Sequence, residues 1–217
     1  MGHEKKDKEE TGLDIGALLK SLIYLIASSL LYPVLFLLVA LVVYIVISSG
    51  SFFAEWLERL RIVKYSPERL PRLIREGNDQ NFFPHRVNSY LEDLRLLLNK
   101  VSPPDEVEIE NILQETSLKT WESLDRIKMI IRIGPSLGLI GTLIPMGTGL
   151  AALGQGDMTK LSSDLVIAFT TTVVGLAVGI VAYFFYTIKR RWVEEDIKNI
   201  ELATEILASE ILEERRR

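Results

Sequence analysis

The side chains able to do chemistry in the apolar parts of this chain are hydroxyls, and they gather in two places. Thr142 closes the run Gly134-Pro135-Ser136-Leu137-Gly138-Leu139-Ile140-Gly141-Thr142, and three threonines stand together in Ala168-Phe169-Thr170-Thr171-Thr172-Val173-Val174-Gly175-Leu176. Hydroxyls titrate far outside the physiological range; what they offer is oxygen lone pairs, to water, to a partly stripped cation or to a neighbouring donor. Asp164, eight residues before Thr172, could raise the local cation concentration at the mouth of such a path. A threonine in a helix can instead bond back to its own preceding turn and do nothing else. Three in succession cover nearly a full turn, so at least one faces the interior or a pore.

The elements that must position these groups are membrane helices. Residues 21–47, 133–153 and 165–188 carry no charged side chain, although the chain is 25% charged overall. At 1.5 Å per residue the first window reaches about 40 Å, against about 30 Å of bilayer hydrocarbon. The first window is also far longer than a signal-peptide core and lacks a small-residue cleavage pattern. Pro33 within it is tolerable in a packed membrane helix and predicts a modest kink. The expected fold is an all-α membrane protein, with three transmembrane helices and long cytoplasmic helical extensions. Its segments are a disordered extracytoplasmic N-terminus (1–17), a first span (18–50), a cytoplasmic helical part (51–131), a transmembrane hairpin (132–188) and a cytoplasmic C-terminal helix (189–217).

Orientation follows from lysine and arginine. The turn between the second and third spans holds Lys160 alone, whereas residues 51–132 hold thirteen basic residues and 189–217 hold seven. The loop and tail therefore face the cytoplasm, and three spans place the N-terminus outside a multi-pass cell membrane protein. Charge near the first span is balanced, with Lys5, Lys6, Lys8 and Lys20 before it and Arg59, Arg61 and Lys64 after it. The hairpin sets the direction.

With no cysteine and only His3 and His85, far apart in sequence, thiol chemistry, disulfides, histidine metal sites and a catalytic triad are not expected. The reading is no enzyme, no catalytic residue, no cofactor, no metal and no nucleic-acid partner.

In the cytoplasmic part, Ser66 and Pro67 predict a helix start and residues 77–79 its stop. Val87, Leu91, Leu94 and Leu98 predict an amphipathic helix over residues 84–101, and residues 102–104 (Ser-Pro-Pro) break it. From Asp105 no strong breaker precedes Gly134, so that helix should run into the second span, with Ile109, Ile112, Leu113 or Thr116, Trp121 and Leu124 on its apolar face. Ile197, Ile200, Thr204, Leu207 and Ile211 extend the third span as a stripe that packs on the 51–132 segment. No sheet is predicted. Arg215, Arg216 and Arg217 could meet anionic lipid head groups or simply end a solvated helix.

In the third span Asp164, Ala168, Thr172, Gly175, Gly179, Ala182 and Tyr186 share one helical face. In the second, Gly134, Gly138, Gly141, Pro145, Gly149 and Ala152 share another, with Thr142 beside it. Gly134, Gly138, Gly141, Gly175 and Gly179 are the candidate packing positions, since small residues let helices approach closely. Thr142, Thr172, Thr171 and Asp164 are the candidate pore-lining positions. No span carries a carboxylate, lysine or histidine near its centre, so a titrating acid for proton transfer must come from another chain.

At these residues the chain resembles the MotA/TolQ/ExbB proton-channel family. The motifs are the Gly134–Thr142 run and Thr171-Thr172-Val173-Val174-Gly175-Leu176, and the three-span plan is most similar to the TolQ/ExbB branch. The resemblance covers about sixty residues by motif, 132–191. It implies a ring-forming homopentamer around a single-span partner dimer of the ExbD/TolR/MotB kind. That partner would supply the membrane aspartate, and ion flow would drive rotation and work on an envelope component, protein transport among such tasks. The family's pore threonines carry over onto Thr142 and Thr172. Two departures stand out. Some members have a glutamate five residues before the second threonine, where this chain has Ile167. A glycine commonly follows the Gly-Thr pair by a short step, whereas this chain has Leu143-Ile144-Pro145-Met146-Gly147, which implies a local kink. With Ile167 in the glutamate's place and hydroxyls that could also serve sodium, the choice of ion is open. The competing readings are a non-conducting membrane scaffold for a helical cytoplasmic adaptor and a subunit of a substrate transporter; broken half-helices and inverted repeats, usual in the latter, are not evident.

Overall fold

The computed structural model describes the backbone of residues 3–62, 71–72, 74, 83–98 and 106–216, and side chains for 15–62, 71–72, 74, 83–98 and 107–209. Among the described residues the long helices are, in order, α1 (His3–Arg61), α2 (His85–Leu98), α3 (Glu106–Leu153) and α4 (Met158–Arg216). Among the described residues there is no strand. Three helices among the described residues, α1, α3 and α4, are long and apolar enough to cross a membrane. The expected helix start at Ser66 and Pro67, the stop at 77–79, the break at 102–104 and the side chains of Ile211 and of Arg215, Arg216 and Arg217 lie outside the described residues.

The long helices form because nothing stops them. Pro33 lies inside α1, and Pro135 and Pro145 lie inside α3, each leaving one carbonyl without an amide donor but none ending its helix. As expected, α3 continues from a charged segment into an apolar one and α4 from an apolar segment into a charged one, each without a break. α1 takes in residues 3–17, for which the sequence predicted disorder. Glu and Lys are good helix formers, and extending an existing helix needs no new nucleus. At the hairpin turn Gly156 takes φ 79°, a conformation open to glycine, and the Asp157 carboxylate accepts the Lys160 N–H at 3.0 Å as the N-cap of α4.

The chain divides into two compact units, Met1–Ile45 with Ile130–Val181, and Val46–Met129 with Ala182–Arg217. In the first unit Val34, Leu38 and Leu137 form a small core with Leu41 and Val174 against it. Large apolar side chains such as Tyr32, Phe36, Val173 and Ile180 point outward while small ones are buried. That arrangement suits a surface bathed in lipid or covered by other helices.

The second unit has a core like that of a soluble helical protein. Val87, Tyr90, Leu91 and Leu94 of α2 pack with Ile74, Phe83, Ile200, Ala203, Ile206 and Leu207, and Leu98, Ile112 and Leu113 border them. The stripes on α2 and α4 are therefore the ones that the spacing predicted. On α3 the stripe runs through Thr120, 4% exposed, and Trp121 is turned out at 40%. The four-residue row 116, 120, 124 stays in line on a helix, and the Thr120 hydroxyl donates to the Thr116 carbonyl at 2.8 Å, so only its methyl needs an apolar surround. The α2 start is held by the Glu58 carboxylate, which accepts the His85 N–H at 2.8 Å.

Within this core the Tyr90 and Thr204 hydroxyls share a hydrogen bond at 2.7 Å, and Thr204 also donates to the Ile200 carbonyl at 2.8 Å. Tyr90→Phe is expected to cost only about 1 kcal/mol of unfolding free energy, because Thr204 keeps a partner. Chemical denaturation of the two proteins checks this.

A second polar group is buried more deeply. Asp196, fully buried, accepts a hydrogen bond from Arg59 at 2.6 Å, with Arg86 at 3.9 Å. Arg59 lies 5.0 Å from the Trp192 ring centroid, and Glu55 reaches both Arg59 (3.7 Å) and Lys189 (3.2 Å). Phe52 stacks on Phe185 and Trp192 at 4.6 and 5.2 Å between centroids. Burial pushes the Asp196 carboxyl above its ordinary value, while the Arg59 hydrogen bond and charge hold it back.

Candidate functional site

The site is built on the seam between α3 and α4. Glycine brings the two backbones together: a Cβ on Gly175 would stand 2.7 Å from the Gly134 carbonyl oxygen and 2.7 Å from the Gly138 Cα. One on Gly179 would stand 2.8 Å from the Pro135 ring. All five predicted packing glycines, Gly134, Gly138, Gly141, Gly175 and Gly179, are buried on this seam. The antiparallel register can be followed along it. Gly134 faces Gly179, Gly138 faces Gly175, Thr142 meets Thr172, and Thr148 meets Asp164.

The predicted hydroxyls divide by role. Thr142 and Thr172 meet hydroxyl to hydroxyl across the seam, both half-buried. Thr142 also has the Gly138 carbonyl of its own helix at 2.8 Å and the Ala168 carbonyl of the facing helix at 3.3 Å. Thr172 reaches that same Ala168 carbonyl at 3.3 Å. Two hydroxyls and two carbonyls thus converge at one level of the seam. Thr171, 5% exposed, is turned onto Gly141, whose Cβ would lie 2.9 Å from that of Thr171; its hydroxyl donates to the Ala168 carbonyl at 2.9 Å. Thr170 is exposed and donates to Val166 at 2.7 Å. In this chain Thr171 is part of the helix contact and Thr170 bonds back to its own helix.

Asp164 is half-buried at the turn end of the hairpin and accepts a hydrogen bond from Thr148 at 2.7 Å. Thr148 is absent from the sequence-predicted site. Its signal lay in the register: once the glycine faces are matched, the residue opposite Asp164 is fixed. The Thr142–Thr172 pair cannot move a proton by titration on its own, but its oxygens can hold water or replace part of a cation's hydration shell.

The described residues thus make a helical protein with three candidate membrane spans and a glycine-packed hairpin across which hydroxyls meet. Residues 79–202, more than half of the chain, match the MotA/TolQ/ExbB proton channel family, and the chain belongs to that family. It is 29% identical over 108 residues to a biopolymer transport protein ExbB homologue of Methanothermobacter thermautotrophicus, covering 48% of this chain. The matched part is 39% of that relative's length. No solved structure matches the chain.

Proposed function

We propose that this chain is the ion-channel subunit of an energy-transducing motor complex, using a proton or sodium gradient to drive work on a partner protein. The observation that supports it best is the meeting of Thr142 and Thr172 with the Gly138 and Ala168 carbonyls, in a chain of this family. In this reading Thr142 and Thr172 line the ion route and Asp164 stands near its outer mouth. The N-terminus lies outside the cell membrane and the C-terminus in the cytoplasm. Copies of the chain form a ring, a pentamer by family resemblance, around a single-span partner dimer of the ExbD/TolR/MotB kind. That dimer supplies the mid-membrane aspartate that the span centres here lack.

Ion flux into proteoliposomes holding the chain with its co-purified partner tests the proposal. Thr142→Val and Thr172→Val remove an oxygen ligand without changing side-chain size. Each is expected to lower flux about tenfold or more, the effect of ~1.4 kcal/mol on a barrier, with assembly intact. A wild-type complex that passes neither ion under an imposed potential would make the chain a scaffold and its threonines packing residues.

A further inference from the structure

We propose that Asp164, Thr148 and the Pro145 carbonyl form a discrete binding site for a partly dehydrated alkali-metal cation, separate from the Thr142–Thr172 pair. The proposal deepens the conducting reading and rests on it. The Thr148 hydroxyl lies 2.7 Å from Asp164 Oδ2 and 3.1 Å from the carbonyl oxygen of Pro145 on its own helix. A hydroxyl has one proton and two lone pairs. With two acceptors in reach, it can turn its proton to the carbonyl and present a lone pair beside the carboxylate. The hydroxyl is thus satisfied without Asp164, so a fastening role for Thr148 does not require an acid opposite it.

The acid has capacity to spare: the Thr148 hydrogen bond fills only one of about four lone-pair positions of the half-buried carboxylate. Glycine lets α3 close on the acid: a Cβ at Gly149 would lie 3.2 Å from the Asp164 Cβ and from Leu161 Cδ1, and 3.7 Å from Oδ2. Carboxylate, hydroxyl and carbonyl are all hard oxygen donors, and one negative charge matches one monovalent ion. A proton would need the carboxylate alone; the two neutral oxygens suit an ion that must replace lost water ligands.

The inner pair repeats the device without the charge. Thr142 likewise has an own-helix carbonyl, Gly138, and an oxygen of the facing helix within reach. Thr142 and Thr148 are six residues apart and Thr172 and Asp164 eight, so the two levels lie roughly 9–12 Å apart along the helices. The charged level at the turn end collects the ion, and the neutral level binds it weakly enough to release it.

Labelling by a water-soluble carbodiimide with an amine nucleophile, which reacts with accessible carboxyls, tests the site in the purified complex in lipid vesicles. Modification of Asp164 is read by peptide mass spectrometry at fixed pH, with sodium or potassium titrated against choline at constant ionic strength. Asp157, exposed at the turn, serves as internal reference. Saturable protection of Asp164 but not Asp157 is expected, and which ion protects at lower concentration names the preferred one. Thr148→Val should raise the half-protecting concentration about tenfold, and Thr148→Ser should restore it. Labelling indifferent to both ions, or protection unchanged in Thr148→Val, overturns the site. Flux in Thr142→Val judges the conducting reading separately, since that substitution leaves Asp164 and Thr148 in place.

Discussion

Gly175→Ala is expected to open the α3–α4 seam and destabilise the hairpin by roughly 1–3 kcal/mol, the usual effect of overpacking. The added methyl meets the Gly134 carbonyl oxygen and the Gly138 Cα, both at 2.7 Å, and neither is a side chain that can swing aside. The helices must separate, or α4 must slide. Alanine is a better helix former than glycine by up to ~1 kcal/mol, which opposes the loss without cancelling it. Gly147→Ala is the matched control, because nothing lies within 4 Å of a Cβ there; it should leave the hairpin as stable as before or slightly more so. Fluorescence-detected gel filtration after heating in detergent reads the difference. Ion flux should fall with the first substitution and hold with the second, since Thr142 and Thr172 meet only while the seam stays closed. Equal melting of the two variants would mean that glycine is not what sets this approach.

Much of this arrangement is legible in the sequence, for physical reasons that can be named. Uncharged windows of more than twenty residues define the spans, and the absence of breakers after Asp105 and across Lys189 gives the continuous helices α3 and α4. Glycines three and four apart mark the buried face of each hairpin helix, and the placement of Thr142 and Thr172 on those faces brings them together. Which of three adjacent threonines faces the seam centre is harder to read. Thr171 and Thr172 are 100° apart on the helix, and only the facing Gly141 decides that Thr171 packs. Thr148 stayed hidden because hairpin register, not composition, pairs it with Asp164. The Arg59–Asp196 contact spans 137 residues, and Asp196 sits in a run of charges whose pattern alone reads as a solvated face. Trp121 misled because aromatic bulk reads as core, whereas the helical row places the smaller Thr120 inward.

Arg59→Met should be the most damaging single change in the second unit, at about 3–5 kcal/mol near neutral pH. It leaves the Asp196 carboxylate fully buried, with Arg86 at 3.9 Å as a distant counter-charge and Oδ1 without a hydrogen-bond partner. The reverse substitution, Asp196→Asn, should be milder, because Arg59 retains Glu55 at 3.7 Å and the Trp192 face at 5.0 Å. Acidity distinguishes this from lost packing. Burial already holds the Asp196 carboxyl above its ordinary value, with Arg59 opposing through its hydrogen bond and charge. A carboxyl raised on folding keeps its proton longer in the native state, so its contribution is most favourable below the unfolded value and declines as pH rises through the folded one. Without Arg59 that decline extends to higher pH. The variant should therefore regain stability on mild acidification, while the wild type changes much less at this position. Replacing both partners by apolar side chains, Arg59→Met with Asp196→Leu, should recover most of the loss at any pH, because no buried charge is left unanswered. Thermal unfolding followed by tryptophan fluorescence, with the four proteins compared from acidic to neutral pH, measures all of this. If Arg59→Met melts with the wild type, or acid does not restore it, the buried pair adds nothing to stability, and the α1–α4 contact in this unit rests on the Phe52, Phe185 and Trp192 stack with the Glu55–Lys189 ion pair.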